Sequence, residues 1–165
     1  MINDLMDDCA SHPIAEMLVR LAHEHPGQLR ILAIGPLTKI AEALRLDPEL
    51  PALVQDVTFM GGAAFAPGNI TAVAEAIIAN DPKTAAEVFA ADWDVALVPL
   101  DVTISNVLEE SRRQELLAAG HPVPQALGDL LLYYFRFHES QFGRPCSAMH
   151  DPLGAPSRRA ASARR

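Results

Sequence analysis

Apolar residues along the chain alternate between helical spacing and short continuous runs. Over residues 14–21 they recur at i, i+3, i+4 and i+7, which predicts a first helix that Ser11-His12-Pro13 can cap and Pro26-Gly27 ends. Residues 29–34 form a continuous run instead, and this run predicts a strand. Helical spacing returns over residues 37–44, so the chain opens with the alternation that is typical of a parallel sheet.

A second unit of the same kind follows. Residues 57–60 predict a strand that Gly61-Gly62 breaks, and Asp81-Pro82 supplies an N-cap followed by proline for a helix through residue 91. Between them, residues 63–74 form a loop of small residues that is too long for a minimal connection. Long loops at strand ends often carry function, so this loop is a candidate for the site.

The third unit contains one irregular residue. Residues 95–100 predict a strand, but Pro99 lacks an amide donor, so the strand either ends there or lies at an edge at that point. Helices are predicted over residues 108–119 and from 124 to about 137. The order α, β, α, β, α, β, α, α predicts an α/β fold with a mostly parallel sheet flanked by helices.

Composition narrows the class of protein. The 165 residues fit one domain, and 50% hydrophobic with 21% charged residues can build a buried core, which excludes disorder for most of the length. The formal net charge of -8 gives no general attraction to nucleic acid or to an anionic membrane. Cys9 and Cys146 are too few for a disulfide framework. With no membrane-spanning run and an acidic start, we expect a cytoplasmic protein.

Charge patterning suggests how the chain is divided. Residues 1–12, with Asp4, Asp7 and Asp8, are interpreted as a flexible acidic N-terminus rather than a metal site, because no strand precedes them. Residues 13–156 form the α/β domain. Residues 157–165 hold four arginines and no acidic residue, and we interpret them as a disordered, solvated basic tail rather than a nucleic-acid arm.

Polar residues at the predicted strand ends are the candidates for chemistry, because ligands of parallel α/β sheets bind outside the carboxyl ends of the strands. The candidates are Asn69, Glu75, Asp101, His150 and Asp151. Each also has a structural interpretation: Asn69 as a turn residue, Glu75 as a solvated side chain, Asp101 bonding nearby backbone, His150 as a surface histidine, and Asp151 as an N-cap.

Five segments together resemble one family, in order and in spacing. They are ILAIGPLTKIAEALRLDPEL, VTFMGGAAFAPGNITAVAE, DPKTAAEVF, PLDVT and MHDPLGA. The chain resembles the inosine-uridine preferring nucleoside hydrolases from about residue 14 to residue 155. The resemblance implies a Rossmann-like core that hydrolyses the N-glycosidic bond of ribonucleosides to ribose and a free base, as in purine or pyrimidine salvage.

The resemblance also implies roles for individual residues. Asn69 and Glu75 match residues that hold the ribose hydroxyls, and Met60 matches a residue that lines the sugar pocket. His150 matches the histidine that in some members is placed to protonate the departing base.

A metal is implied in the same way. The resemblance gives the family one Ca²⁺, with Asp151 matching an aspartate ligand and the backbone carbonyl of Ile34 matching a further ligand. The aspartate-rich DxDxxxDD run of the family has no counterpart in the chain, and Ile77 stands where the family usually has another ribose-binding asparagine. We therefore expect a fold that is incomplete at both ends and an incomplete Ca²⁺ site.

Two hypotheses follow from the match and its departures. The first is a nucleoside hydrolase acting on a small ribonucleoside. The alternative is a catalytically inactive fragment, or a ribose-binding or interaction module, that retains the α/β core. In either case an incompletely covered parallel sheet predicts self-association, as a homo-oligomer, through its exposed surface.

Overall fold

The computed structural model describes residues 13–155. Strands and helices alternate through its first two thirds. The helices are α1 (Pro13–Glu24), α2 (Thr38–Leu46), α3 (Leu50–Leu53), α4 (Ala76–Asn80), α5 (Pro82–Ala90), α6 (Leu100–Thr103), α7 (Glu110–Ala118) and α8 (Pro122–Phe142). The strands are β1 (Leu29–Ala33), β2 (Val54–Met60), β3 (Val95–Val98), β4 (Val107–Glu109) and β5 (Cys146–Ala148). A last helical segment begins at residue 150.

The first three strands form one parallel sheet in the order β1-β2-β3. Ile31 of β1 pairs with Val57 of β2, and Val57 pairs in turn with Val95 of β3. The central strand β2 is buried along nearly its whole length, including its polar residues Asp56 and Thr58, as in a parallel sheet that is covered on both faces. This part of the fold confirms the α/β class with a parallel sheet flanked by helices.

The main core lies between one face of the sheet and helices α1, α2 and α5. Val57 and Phe59 of β2 are fully buried there, and Ile40 of α2 packs in the same cluster. Ala15 and Ala22, on the buried face of α1, are also fully buried. Such small side chains let a helix approach its neighbours closely, so α1 and α2 pack side by side.

The last helical segment packs on the other face of the sheet. A Cβ atom at Gly154 would lie 2.7 Å from Leu32 Cδ1 and 3.9 Å from Met60 Cβ, so the absence of a side chain allows this close approach. The segment begins one turn earlier, at residue 150. Packing of Gly154 therefore fixes where His150 and Asp151 lie relative to the sheet.

A separate two-stranded antiparallel sheet connects distant parts of the chain. Val107 of β4 pairs with Ala148 of β5, and Glu109 pairs with Cys146. Directly after β5, the Met149 amide donates to the Asn106 carbonyl at 2.9 Å. These contacts attach the segment that leads into residue 150 to the connection between α6 and α7.

Several predicted element boundaries are wrong, and each error has a physical cause. The third strand ends at Val98 because Pro99 supplies no ladder donor, which confirms the first of the two alternatives for Pro99, but residue 100, predicted within the strand, instead begins α6. Residues 108 and 109, predicted as the start of a helix, instead belong to β4, because this strand pairs with a segment almost forty residues later. The final long helix runs from Pro122 to Phe142, further in both directions than predicted, and β5 and the short helices α3, α4 and α6 were not predicted.

Some expectations concern residues outside the described part of the chain. The acidic N-terminus over residues 1–12, with its proposed cap at Ser11-His12, and the basic tail over residues 157–165 both lie there. Within residues 13–155, no helix combines the length and the apolar character needed to cross a membrane.

Candidate functional site

The parallel strands end at one edge of the sheet, and the segments that follow them carry the candidate residues. Met60 is the last residue of β2 and is 2% exposed, whereas Ile34 lies one residue beyond β1 and is 49% exposed. The loop after β2 and helix α6 after β3 leave from the same edge. This is the edge at which α/β proteins bind their ligands.

The Glu75 carboxylate joins the end of β2 to helix α4. Its Oε2 accepts from the Gly62 amide at 2.9 Å and from the Ile78 amide at 3.2 Å, while Oε1 accepts from the Ile77 amide at 2.9 Å. Glu75 is thus the N-cap of α4 and only 3% exposed, which replaces the solvated interpretation. Because a carboxylate offers about four acceptor positions, one remains, on Oε1.

Asp101 organises the loop after β2. Its carboxylate accepts from the Ala64 amide at 2.9 Å and from the Phe65 and Ala66 amides at 2.8 Å each. The amide of Ala64, followed by those of Phe65 and Ala66, holds the pKa of the Asp101 carboxyl below its usual range, because these donors stabilise the charged form. Its role matches the interpretation of Asp101 as a residue that bonds nearby backbone.

Asn69 lies further along the same loop and is exposed. Its Oδ1 accepts from the Ala76 amide at 2.9 Å, so the side chain ties the loop to the start of α4. The preceding Gly68 is sterically required, because a Cβ there would lie 2.3 Å from the backbone N and O of Ala74. The loop is therefore compact, and the side-chain nitrogen of Asn69, which forms no hydrogen bond within residues 13–155, is available to a ligand.

His150 is half-buried and held by α6. Its Nδ1 lies 2.8 Å from the hydroxyl of Thr103, which is fully buried. Burial of the ring lowers the pKa of His150, and the nearby His138 lowers it further. The carboxylates of Asp151 and Glu75 partly offset this shift by raising the same pKa. His150 is thus a positioned, partly desolvated side chain rather than an ordinary surface histidine.

Two neighbouring clefts share His138 and His150. The first, the PGN cleft, has a volume of about 580 Å³ and is lined by Pro67, Gly68, Asn69, Ile70, Leu100, Ile104, Phe137, His138, Ser140, Gln141 and His150. The second, the apolar cleft, has about 490 Å³ and is lined by Leu108, Leu116, Leu127, Leu131, Tyr134, His138, Ser147, Ala148, Met149, His150, Asp151 and Pro152. Both volumes lie in the range of small-molecule sites.

Four of the six predicted site residues line these clefts or a third one, whereas Met60 and Ile34 line none of the three. Asn69 and His150 share the PGN cleft, and His150 and Asp151 share the apolar cleft. Glu75 lines a smaller cleft of about 270 Å³ together with Gly62. Glu75 thus lies outside the two clefts that His150 lines. Among the predicted site residues, His150 is therefore the one that lines two of these three clefts.

The described residues do not fit a complete calcium site. Among residues 13–155, no three His, Cys, Asp or Glu side chains converge as a metal cluster. Asp151 is exposed at the first turn of the last helical segment, where it is not the N-cap, because that segment already begins at residue 150. Its carboxylate and the Ile34 carbonyl are two ligand groups, whereas Ca²⁺ takes six to eight oxygens.

Sequence reasoning missed two residues of this region, His138 and Thr103. His138 Nδ1 lies 3.1 Å from the Tyr134 carbonyl and 3.3 Å from the Ser147 hydroxyl. Its ring stacks on Tyr134 and meets Phe137 edge to face, with centroids 6.5 and 5.0 Å apart. The i, i+4 spacing of Tyr134 and His138 was a usable signal for His138, but nothing local marks Thr103.

One known protein family matches most of the chain. The model of the inosine-uridine preferring nucleoside hydrolases matches residues 3–157. The chain is a member of this family. The edge of the sheet that carries His150 and the PGN cleft is thus part of a nucleoside hydrolase fold.

Individual nucleoside hydrolases and related nucleosidases show the same likeness. The chain is 36% identical over 139 residues to the probable uridine nucleosidase 2 of Oryza sativa subsp. japonica, covering 84% of this chain and 41% of that protein. It is 33% identical over 132 residues to the inosine-uridine preferring nucleoside hydrolase of Crithidia fasciculata, covering 80% and 41%.

Solved structures agree with this assignment. A purine-preferring ribonucleoside hydrolase from Gardnerella vaginalis superposes with a TM-score of 0.81 at 27% identity, covering 85% of this chain and 45% of that one. A plant nucleoside hydrolase gives the same score and identity, covering 84% and 44%. The chain spans less than half the length of these relatives.

Proposed function

We propose that this chain contributes to the hydrolysis of the N-glycosidic bond of ribonucleosides, giving ribose and a free base. The observation that carries the proposal is the position of His150, which is half-buried, bonded to Thr103 and shared by two clefts in a nucleoside hydrolase fold. A small ribonucleoside is the substrate class that this family membership supports.

The chemistry explains why these residue types suit the reaction. Breaking the bond between C1′ and the base nitrogen leaves positive charge on the ribose and negative charge on the base. Water supplies a hydroxyl group to C1′, and a proton goes to the departing nitrogen. Groups that bind the ribose hydroxyls must therefore lie on one side of the bond, with a proton donor on the other.

Each role is proposed from the position of the side chain. His150 is the proton donor: Nδ1 faces Thr103 and Nε2 remains for the base, and the imidazolium form gives its Nε2 proton to the base and becomes a neutral ring. The Asn69 amide nitrogen and the remaining acceptor position on Glu75 Oε1 bind ribose hydroxyls. Met60, buried at the end of β2, forms the apolar floor of the sugar site.

The experiment is a hydrolysis assay on the full chain with inosine and uridine, following release of the base by chromatography. We expect His150→Ala to reduce turnover by about 10²- to 10⁴-fold, as for loss of a general acid. His25→Ala is the matched control, since His25 is exposed and precedes β1, at the opposite end of the strand. Equal turnover of the two variants would refute the role of His150.

Calcium and self-association are further proposals. We propose that Asp151 and the Ile34 carbonyl are Ca²⁺ ligands, and two ligand groups predict weak binding, which calorimetry with Ca²⁺ tests. We also propose that copies of the chain associate, because Leu32 and Leu97 of the sheet are each 42% exposed. A monomer in size-exclusion chromatography would contradict association. A cytoplasmic location and a role in nucleoside salvage remain predictions from the sequence.

A second candidate function is ribose binding without turnover. The engaged carboxylate of Glu75 and the apolar side chain of Ile77 favour it, because both reduce the number of groups available to the ribose hydroxyls. Under this alternative, calorimetry detects ribose binding that Asn69→Ala weakens, while the hydrolysis assay detects no product. Product formation that depends on His150 would exclude it.

A further inference from the structure

The one-turn helix α6 contacts both walls of the PGN cleft. Asp101 accepts the three amides of residues 64–66, which lead directly into the loop wall at Pro67. Two residues later, the Thr103 hydroxyl lies 2.8 Å from Nδ1 of His150, the side chain that we call the second wall of the cleft. Leu100 of the same helix also lines the cleft.

We propose that α6 positions the two walls of the cleft: Thr103 keeps the ring proton of His150 on Nε2, and Asp101 fixes the loop that carries Asn69. Both act through other residues, so they are positioning residues rather than catalytic ones. The inference deepens the proposed function and rests on it, because the Nε2–H group of the neutral ring affects the reaction only by donating a hydrogen bond to the departing base.

The tautomer follows from the burial of Thr103. Its hydroxyl is 0% exposed, so water cannot accept its proton, and a buried donor without an acceptor is costly. His150 Nδ1, at 2.8 Å, is an acceptor only when it carries no proton. In the neutral ring the proton then resides on Nε2, the nitrogen that a nucleobase can reach.

The loop wall depends on Asp101 for a similar reason. Three successive amides point at one carboxylate, with distances of 2.8 to 2.9 Å, which is the short range of charge-assisted bonds. An amide group at this position has only one acceptor oxygen, so it cannot satisfy all three donors. Asp101→Asn should therefore release residues 64–66 and, with them, the adjoining Pro67–Asn69 wall.

The test of Thr103 is the tautomeric state of His150. In uniformly ¹⁵N-labelled protein at a pH of about 8, where histidine rings are neutral, long-range ¹H–¹⁵N spectra distinguish a proton on Nε2 from one on Nδ1. His150→Gln assigns the resonance. We expect an Nε2–H ring in the unmodified protein and in Thr103→Ser, and a mixture of tautomers in Thr103→Val, which keeps the volume but lacks the hydroxyl.

A proton on Nδ1 in the unmodified protein would overturn the role of Thr103, as would an unchanged tautomer in Thr103→Val. The first of these results needs no variant, so it stands even if Thr103→Val fails to fold. Restoration by serine separates loss of the hydroxyl from a general packing defect.

The test of Asp101 is amide hydrogen exchange. We expect Asp101→Asn to speed exchange at residues 64–66 by about tenfold or more, as for the loss of hydrogen bonds to a charged group, with β2 still protected. Asp92→Asn, at an exposed aspartate, is the matched control. Unchanged exchange at residues 64–66, or equal loss of protection in β2, would overturn a local positioning role.

These readouts do not depend on turnover. An Nε2–H ring and a loop that Asp101 protects, in a chain without hydrolytic activity, would support the positioning and refute the proposed function. Turnover that requires His150, with an Nδ1–H ring, would support the function and overturn the positioning by Thr103.

Discussion

Replacing Glu75 by glutamine tests the carboxylate that joins β2 to α4 with almost no change of volume. The carboxylate accepts three backbone amides, two on Oε2 and one on Oε1. A glutamine amide has one acceptor oxygen and one NH₂ donor, so in either orientation at least one backbone N–H faces another donor. The remaining bonds lose their charged acceptor.

The magnitude follows from these changes. A buried donor without an acceptor costs about 1–3 kcal/mol, and each bond to a charged group loses roughly 1 kcal/mol when the acceptor becomes neutral. With one donor unsatisfied and two bonds weakened, we therefore expect Glu75→Gln to lower the free energy of unfolding by about 3–5 kcal/mol, out of a typical total of about 5–15 kcal/mol. At a typical urea slope of about 2 kcal/mol/M, this lowers the denaturation midpoint by about 1.5–2.5 M.

The assay is urea denaturation followed by the fluorescence of Trp93. It is the single tryptophan of the chain, packs against the core, and donates from Nε1 to the Val88 carbonyl at 2.9 Å. Glu49→Gln is the matched control, because Glu49 also precedes a helix but forms no side-chain cap bond and is exposed. A loss below about 0.5 kcal/mol for Glu75→Gln, or an equal loss in the control, would refute the reasoning.

Three further substitutions test the rest of the fold and site. Hydrogen bonds from Thr84 and Thr38 lower the pKa of Asp81, so the stability that its charged form contributes is complete above about pH 4 and is lost as the pH falls through the lowered pKa. Asp81→Asn should therefore destabilise the chain at neutral pH. In a series of denaturation curves at falling pH, the difference in stability between the variant and the unmodified chain should vanish. Gly68→Ala should cost about 1–3 kcal/mol, because its Cβ would overlap backbone, whereas Gly35→Ala, with open space, should change stability by less than about 0.5 kcal/mol in the same urea assay. Phe135→Ala, at a 1% exposed residue of α8, should cost about 3–5 kcal/mol in thermal unfolding, while Phe137→Ala, at a 78% exposed one, should leave the melting temperature nearly unchanged.

Local signals in the sequence were sufficient for the parallel core. The mostly apolar residues 57–60 predicted the last four residues of β2, a strand that is buried on both faces. Asp81-Pro82 starts α5, with the Asp81 side chain accepting from the Thr84 amide as an N-cap does. Each signal lies within the element that it predicts. The βα alternation followed from such signals, and it indicates a parallel sheet because parallel strands need crossover connections.

Contacts between distant residues could not be predicted in the same way. Residues 107–109 form a strand only because residues 146–148 pair with them, and helical periodicity in β4 was therefore misleading. Glu75 among small apolar residues gave no sign that its carboxylate accepts the Gly62 amide thirteen positions earlier. The bond between Thr103 and His150 spans 47 positions, so only the fold reveals it.

The most direct test of a single site around His150 is an amide-resolved NMR titration of the chain with uridine. We expect the amides of Asn69 and His150 to shift together along one saturable curve, since both residues line the PGN cleft. Shifts that do not saturate at either residue, or saturable shifts confined to the α1 side of the sheet, would contradict a ribonucleoside site at this edge.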